Sequence, residues 1–328
     1  MRVDEARTHL ISRAQLERRG SGPRQVAAEV AAGRLRRVHP GWYVDGATWR
    51  SAFAETRHLF SVVAAAQRIR SDRTVVSHHS AAVAWELPLY RLAPRLVHVS
   101  GDNADGCTGR QTLGVARHAV AAPPCDRVEI DGILCTSLER TIFDMLRAAP
   151  AEAALAIADA GFRRAAWDDR SRTYDVVAAE RLCEALATRV RAAAGGRGIR
   201  QARRLLPLAD GRAQLPGESV SRLRLDELGF AAPRLQVAIP GPAGRTYYCD
   251  FGLDDVGAWG EFDGVSKYLD PDLTGGLTAG EAVMAEKARE NWIVATTGRR
   301  IVRWGSEHID SVTTFERHLA TYGIRPPR

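Results

Sequence analysis

Thr246-Tyr247-Tyr248-Cys249-Asp250-Phe251-Gly252-Leu253-Asp254-Asp255-Val256-Gly257-Ala258-Trp259-Gly260-Glu261-Phe262-Asp263-Gly264 decides how this 328-residue chain is read. Two strand-like runs, Thr246 to Leu253 and Ala258 to Asp263, flank the turn-forming tetrapeptide Asp254-Asp255-Val256-Gly257. A hairpin centred on that turn sets Asp250 opposite Glu261 and Tyr248 opposite Asp263. Like charges facing each other across a ladder are destabilising, so the carboxylates call for a compensating cation. Side-chain alternation assigns Cys249, Phe251 and Phe262 to the other, apolar face. Hard oxygen donors of this kind favour Mg²⁺ or Mn²⁺.

Around the hairpin the pattern continues on both sides. Glu218 to Leu228 reads as a helix stopped by Gly229, and Arg234 to Ile239 as a strand. Ala279 to Thr297 reads as a longer helix, and Arg300 to Trp304 as a last strand. The order is helix, three strands, helix, strand, preceded by a linker-like Asp210-Gly211-Arg212-Ala213-Gln214-Leu215-Pro216-Gly217. Of 46 basic residues only Lys267 and Lys287 are lysine, and both fall near these acids. Lysine is a compact ammonium that arginine does not replace. Lys287 shares a helical stripe with Val283, Met284 and Val294, which predicts that it points inward and balances the carboxylates.

Composition bounds the rest. A hydrophobic fraction of 45% with 26% charged residues is that of a globular chain, long enough for two or three domains. The net charge of +7 favours an acidic partner such as nucleic acid. Five scattered cysteines without a C-x-x-C pair argue against a zinc ribbon and a disulfide framework, and point to a reducing cytoplasm. No apolar run approaches the roughly 20 residues that span a bilayer, and no signal-peptide pattern opens the chain, so no membrane association is expected.

The first fifty residues suggest a DNA reader. Ser12 is placed to cap a helix over Arg13 to Arg19, ending at Gly20. Ser21 and Pro23 open a second helix that runs through Gln25 to Ala32 and stops at Gly33. Leu35 to His39, the turn Pro40-Gly41 and Trp42 to Val44 form a basic hairpin, the wing of a winged helix-turn-helix. Ten arginines against five acidic residues leave this segment an excess of five positive charges. Arg24 and Gln25 are placed to reach base edges, and Arg34, Arg36 and Arg37 to contact phosphates.

Residues 51–209 alternate helical stretches with short strands, a mixed α+β region. His78 and His79 invite a metal reading, but adjacent histidines diverge on a helix and no spaced carboxylate or cysteine partner accompanies them. Helix capping by Ser77 or Ser80 is the expectation there. No G-K-[ST] occurs, which excludes a Walker-type ATPase, and no G-x-S-x-G surrounds Ser80.

Two resemblances sharpen the picture. Ile11-Ser12-Arg13-Ala14-Gln15-Leu16 and Gly33-Arg34-Leu35-Arg36-Arg37-Val38-His39-Pro40-Gly41-Trp42-Tyr43 resemble the N-terminal domain of AbiEi-type antitoxins of type IV toxin–antitoxin systems. The likeness extends through Val76 to Ala82 and Thr136 to Asp144. It implies operator binding by residues 1–50 and a cognate toxin as a partner. Residues 210–328 resemble the PD-(D/E)XK nuclease superfamily, in particular its Vsr-like branch. That likeness is carried by Pro216-Gly217-Glu218-Ser219, Tyr248 to Phe251, Glu261 to Gly264, Glu286 to Arg289 and Ile301 to Trp304. It implies a metal held by Asp250 and Glu261, Glu218 as accessory acid, and a lysine that orients the attacking water. Asp263 occupies the position where the superfamily carries that lysine, so Lys287 is the first substitute and Lys267 the second. The expected protein is a multi-domain α/β chain with three parts: winged helix 1–50, middle region 51–209, and an α-βββ-α-β restriction-endonuclease-like core 210–328. Its expected activity is metal-dependent hydrolysis of phosphodiesters, on DNA or RNA. The alternative is a non-catalytic antitoxin-type regulator with a degenerate nuclease fold.

Overall fold

A computed structural model of the chain describes residues 1–69, 73–101, 114–171, 173–264 and 279–326. It shows a mixed α/β protein with several sheets that divides into two compact units. Unit 1 takes Met1–Gly161 with Arg181–Leu206, and unit 2 takes Phe162–Glu180 with Pro207–Arg328. Among the described residues, no helix is long and apolar enough to cross a membrane.

The chain opens with α1 (Val3–His9), β1 (Ile11–Ser12), α2 (Arg13–Arg18) and α3 (Pro23–Ala31), then the hairpin of β2 (Leu35–His39) and β3 (Trp42–Asp45). Ser12 closes a full capping box on α2: its hydroxyl accepts from the Gln15 amide, and the Gln15 side chain accepts from the Ser12 amide. At α3 the cap position falls on Gly22 rather than Ser21, without a side-chain bond, because Pro23 enters the first turn. Leu16 of α2, Val26 of α3 and Tyr43 of β3 pack together, with Ile11, Val30 and Leu35 against them. That small core fixes both helices on a three-stranded sheet ordered β1-β3-β2.

Next come α4 (Gly46–Ser51), α5 (Ala54–Ala66), β4 (Val75–Val76), α6 (His78–Ala84), β5 (Val97–Ser100), β6 (Val115–His118), β7 (Arg127–Ile130), β8 (Ile133–Thr136) and α7 (Leu138–Ala148). The five strands form one sheet ordered β6-β5-β4-β8-β7. β4 runs parallel to β8 and antiparallel to β5, and β5 runs parallel to β6. Val75, Val76, Val97, Val99 and Cys135 are buried in it, as are Ala81 to Ala84 of α6, whose small side chains fit the closely packed interior. The chain continues through α8 (Ala151–Ala166), β9 (Trp167–Asp168), β10 (Thr173–Tyr174), α9 (Val176–Ala192) and α10 (Ile199–Leu205).

Unit 2 holds α11 (Pro216–Leu228), β11 (Arg234–Pro240), β12 (Thr246–Leu253), β13 (Ala258–Asp263), α12 (Ala279–Thr297), β14 (Arg300–Gly305) and α13 (Val312–Thr321). The elements expected from Glu218 to Trp304 are therefore present, each within a few residues of its expected ends. Pro216 stands in the first turn of α11, and Gly229 ends it in the left-handed conformation, φ 84°. The sheet is ordered β11-β12-β13-β14, antiparallel except for the last, parallel pair. Its underside is filled by Phe251, Trp304 and Phe315, with ring centroids 5.3 and 5.1 Å apart. The Trp304 indole N–H donates to Ser221 of α11 at 2.7 Å. The segment 210–217 is packed rather than a loose tether. Gly211 donates to the Tyr174 hydroxyl, and Ala213 is buried.

Candidate active site in the second unit

The β12–β13 register is the one the turn dictates. Phe251 pairs with Gly260, Gly252 with Trp259 and Leu253 with Ala258, and the paired rungs end there, one short of Asp250 and Glu261. Beyond Phe251 the Phe262 amide donates instead to the Asp250 carboxylate at 2.9 Å. On the other side of Asp250, the β11–β12 rungs skip Gln236, whose φ of 48° lies in the left-handed region. Side-chain alternation along β12 fails across Asp250. Phe251 stacks on Trp304, whereas Cys249 packs with Ile239, Trp259 and Ile293 against α12. The expectation that Cys249 shares a face with Phe251 and Phe262 is thus corrected.

The distortion gives the two acids separate partners. Asp250 accepts from the Gln236 side-chain amide at 3.1 Å, and that same nitrogen lies 3.4 Å from Glu218. Glu218 reaches this position because Gly217 sits flat on the Phe262 ring, where an added Cβ would come within 2.0 Å. The Glu218 carboxylate also accepts from the Gln214 amide at 3.0 Å, a favourable place for negative charge in the first turn of α11.

Glu261, buried, is held by two arginines. Arg289 of α12 donates to its Oε1, and Arg303 of β14 donates to its Oε2 at 2.9 Å. Glu286 joins both guanidinium groups, and Glu290 lies 3.3 Å from Arg303. Burial alone would raise the Glu261 carboxyl, but Arg289 and Arg303 outweigh it and hold it below the usual range. Burial pushes the neighbouring Cys249 thiol up to about 12, helped by the Glu261 charge, so it stays protonated.

Lys287 does not point inward. It is exposed, as are its stripe mates Val283 (58%), Met284 (67%) and Val294 (39%). α12 instead lies on the sheet through Arg289, Ile293 and Thr297, and Thr297 accepts from the Trp259 indole at 2.9 Å. The helix turns a partly charged face inward, which reverses the expectation drawn from apolar spacing. Arginine 289 is the cation that the spacing argument missed, two residues after Lys287. Asp263 ends β13 opposite Gly305, and Lys267 lies outside the described residues.

In unit 1, Arg24, Gln25, Arg34, Arg36 and Arg37 are all exposed, the first two on α3 and the last two on β2. Arg34 is engaged by Glu29 through two contacts of 2.6 and 2.8 Å. The Arg36 guanidinium lies 5.1 Å from the Trp49 ring centroid. Ser77 and Ser80 do not cap α6. Ser77 stands at its cap position without a capping bond, and its hydroxyl meets Ser100 and His78 instead. Ser80 lies inside the helix, where its hydroxyl binds His58 and the His98 amide.

No family model matches the chain. It is similar to two curated proteins of Mycobacterium tuberculosis, "Uncharacterized protein Rv2248" of strain H37Rv and "Uncharacterized protein MT2308" of strain CDC 1551. Each is 33% identical over 166 residues, which is 51% of this chain and 55% of the relative. The chain thus spans about half the length of the curated relatives it matches.

Proposed function

We propose that this chain is a DNA-binding protein whose first fifty residues act as a winged helix and whose second unit hydrolyses phosphodiester bonds with Mg²⁺ or Mn²⁺. The observation that carries the reading is Asp250, set in a break of the strand ladder beside Glu218, within an α-βββ-α-β arrangement. Carboxylate oxygens are a donor set that fits a hard divalent cation. Asp250 would hold it, Glu261 would join only by releasing an oxygen from Arg289 or Arg303, and Glu218 would be the accessory acid. When bound, such a cation polarises a phosphate oxygen and lowers the pKa of a bound water. Arg289 and Arg303 supply fixed positive charge beside Glu261, the complement of a pentavalent phosphoryl group. On α3, Arg24 and Gln25 face solvent at the helix start, the place from which a recognition helix meets base edges. Arg36 and Arg37 on β2 are the phosphate contacts.

A second reading rests on the closure of Glu261 by two arginines, which a salt-bridged scaffold also requires. In it, the protein is a non-catalytic regulator of antitoxin type with a cognate toxin. Incubation with supercoiled plasmid and Mg²⁺ or Mn²⁺ separates the two. Nicking that needs metal and vanishes in Asp250→Ala and Glu261→Ala supports the hydrolase. Intact duplex, single-stranded and RNA substrates, with duplex DNA still bound, support the regulator.

A further inference from the structure

Outside the carboxylate region, the five-stranded sheet of unit 1 collects histidines that are far apart in sequence. His78 begins α6, His98 lies on β5 and His118 ends β6. The pairing of β5 with β6 sets Ser100 beside His118, so His98 lies one same-face step away. His98 Nδ1 and His118 Nε2 are 3.0 Å apart. The His78 and His118 rings stack at 3.8 Å between centroids. One nitrogen from each of the three lies within 4.8 Å of the others, the only such His/Cys/Asp/Glu triple among the described residues.

We propose that His78, His98 and His118 bind a first-row transition-metal ion, Zn²⁺ foremost, through three imidazole nitrogens with the fourth position open. The spacing fits. Zinc–nitrogen bonds of about 2.0–2.1 Å in a tetrahedron put ligand nitrogens about 3.3 Å apart. The 3.0 Å between His98 and His118 is close to that edge. Imidazole is a preferred ligand of zinc, copper and nickel and a poor one for Mg²⁺, which separates this site from the carboxylates of unit 2.

Three further observations support it. His78 Nδ1 is 3.0 Å from the Ser77 hydroxyl, a contact that orients the ring and leaves Nε2 for an ion. The His78 backbone is held at φ 52°, a left-handed conformation that surrounding structure must enforce. His79, T-shaped against His98, buries its Nδ1 without a hydrogen-bond partner. Arg140, the cation that acts on His78, is already balanced by Asp126 and Asp144. All three histidines stay partly accessible, so an ion can enter from solvent.

The test uses the full chain, stripped with a chelator, and titrated with Zn²⁺ by calorimetry and with Co²⁺ by visible absorption. The expected result is one ion per chain and the intense ligand-field bands of tetrahedral Co²⁺. His98→Gln should weaken Zn²⁺ binding at least about a hundredfold, the upper scale of effects even for supporting residues. His308→Gln and Asp250→Ala should leave it unchanged, which keeps this outcome separate from that of the phosphodiesterase reading. Circular dichroism checks that His98→Gln is folded. If it is not, the wild-type Co²⁺ spectrum decides alone. No binding by wild type, a weak octahedral Co²⁺ spectrum, or undiminished affinity in folded His98→Gln would overturn the proposal.

Discussion

Each unit carries a cluster of arginines and carboxylates, and the two are built to different ends. In unit 1, Arg140 joins Asp126 at 2.8 Å and Asp144 at 3.0 Å, with side-chain exposures of 8, 1 and 4%. Arg189 closes the cluster by bonding both Asp126 and Glu139. In unit 2, exposure rises outward from Glu261 at 10% through Arg289 at 19% and Arg303 at 30% to Glu286 at 46%. The unit 1 cluster is sealed at Arg140, Asp126 and Asp144 and opens to solvent only through Arg189 at 27% and Glu139 at 31%, whereas in unit 2 Glu261 alone is nearly enclosed. A sealed network stabilises only as long as every member is present. A graded one leaves its cations within reach of a ligand phosphate. Burial of the charges, rather than their pairing, distinguishes a structural cluster from a candidate site.

Removing one member of the sealed network should have the largest effect. Arg140→Leu leaves Asp126 and Asp144 buried without their shared partner, and should cost about 3–5 kcal/mol in denaturant unfolding. A loss below about 1 kcal/mol would place that network nearer the surface type. In the graded cluster, Arg289→Lys keeps the charge but removes the planar fork that joins Glu261, Glu286 and the Tyr248 carbonyl. The expected loss is about 1–3 kcal/mol, smaller because Arg303 still holds Glu261. An Arg289→Lys protein as stable as wild type would show that geometry at this carboxylate is unimportant.

Acid should expose unit 1 through another buried group. His58, buried and bonded to Ser80, is lowered by burial to about 3, against about 6.5 when unfolded. The unfolded chain then binds more protons between those values. The stability linked to His58 is therefore complete above pH 6.5 and declines as pH falls, by about 1.4 kcal/mol per pH unit per proton. His58→Gln should flatten that acid limb in metal-free protein, as read by unfolding at stepped pH; an unchanged slope would remove His58 from the account. The smallest effect belongs to Lys287→Ala. An exposed lysine beyond both networks should change stability by no more than about 0.5 kcal/mol and leave any cleavage intact. A large loss would return Lys287 to the site.

Much of unit 2 is legible from residues alone. Gly229 and the Asp254–Gly257 turn mark where elements stop and reverse, and the turn sets the β12–β13 register, whereas the helix start at Pro216 falls inside what reads as a linker. The break at Gln236 is not legible, because a glutamine in the left-handed region carries no local signature. Without that break, alternation misplaces Cys249. The orientation of α12 is hidden for a different reason. Its sheet-facing side is led by Arg289, while Val283 and Met284 stay exposed, so apolar periodicity points the wrong way. The histidine triad is invisible to spacing because its members meet only when β5 and β6 pair beside α6. In the N-terminal segment, helix pair and hairpin follow from Ser12, Gly20, Pro23 and Gly33, and the pairing of Arg34 with Glu29 is the tertiary detail that local reading lacks.

The most direct measurement is cleavage of supercoiled plasmid by wild-type protein and by Asp250→Asn, with and without Mg²⁺ or Mn²⁺. Asp250→Asn keeps an acceptor for the Phe262 amide and removes the charge that would hold a cation. Metal-dependent nicking by wild type is expected, with a loss of at least about a hundredfold in the variant, the scale of losing one group that stabilises the transition state. Nicking that persists in Asp250→Asn, or a wild-type protein that binds the plasmid and never cuts it under either metal, would contradict a hydrolytic second unit.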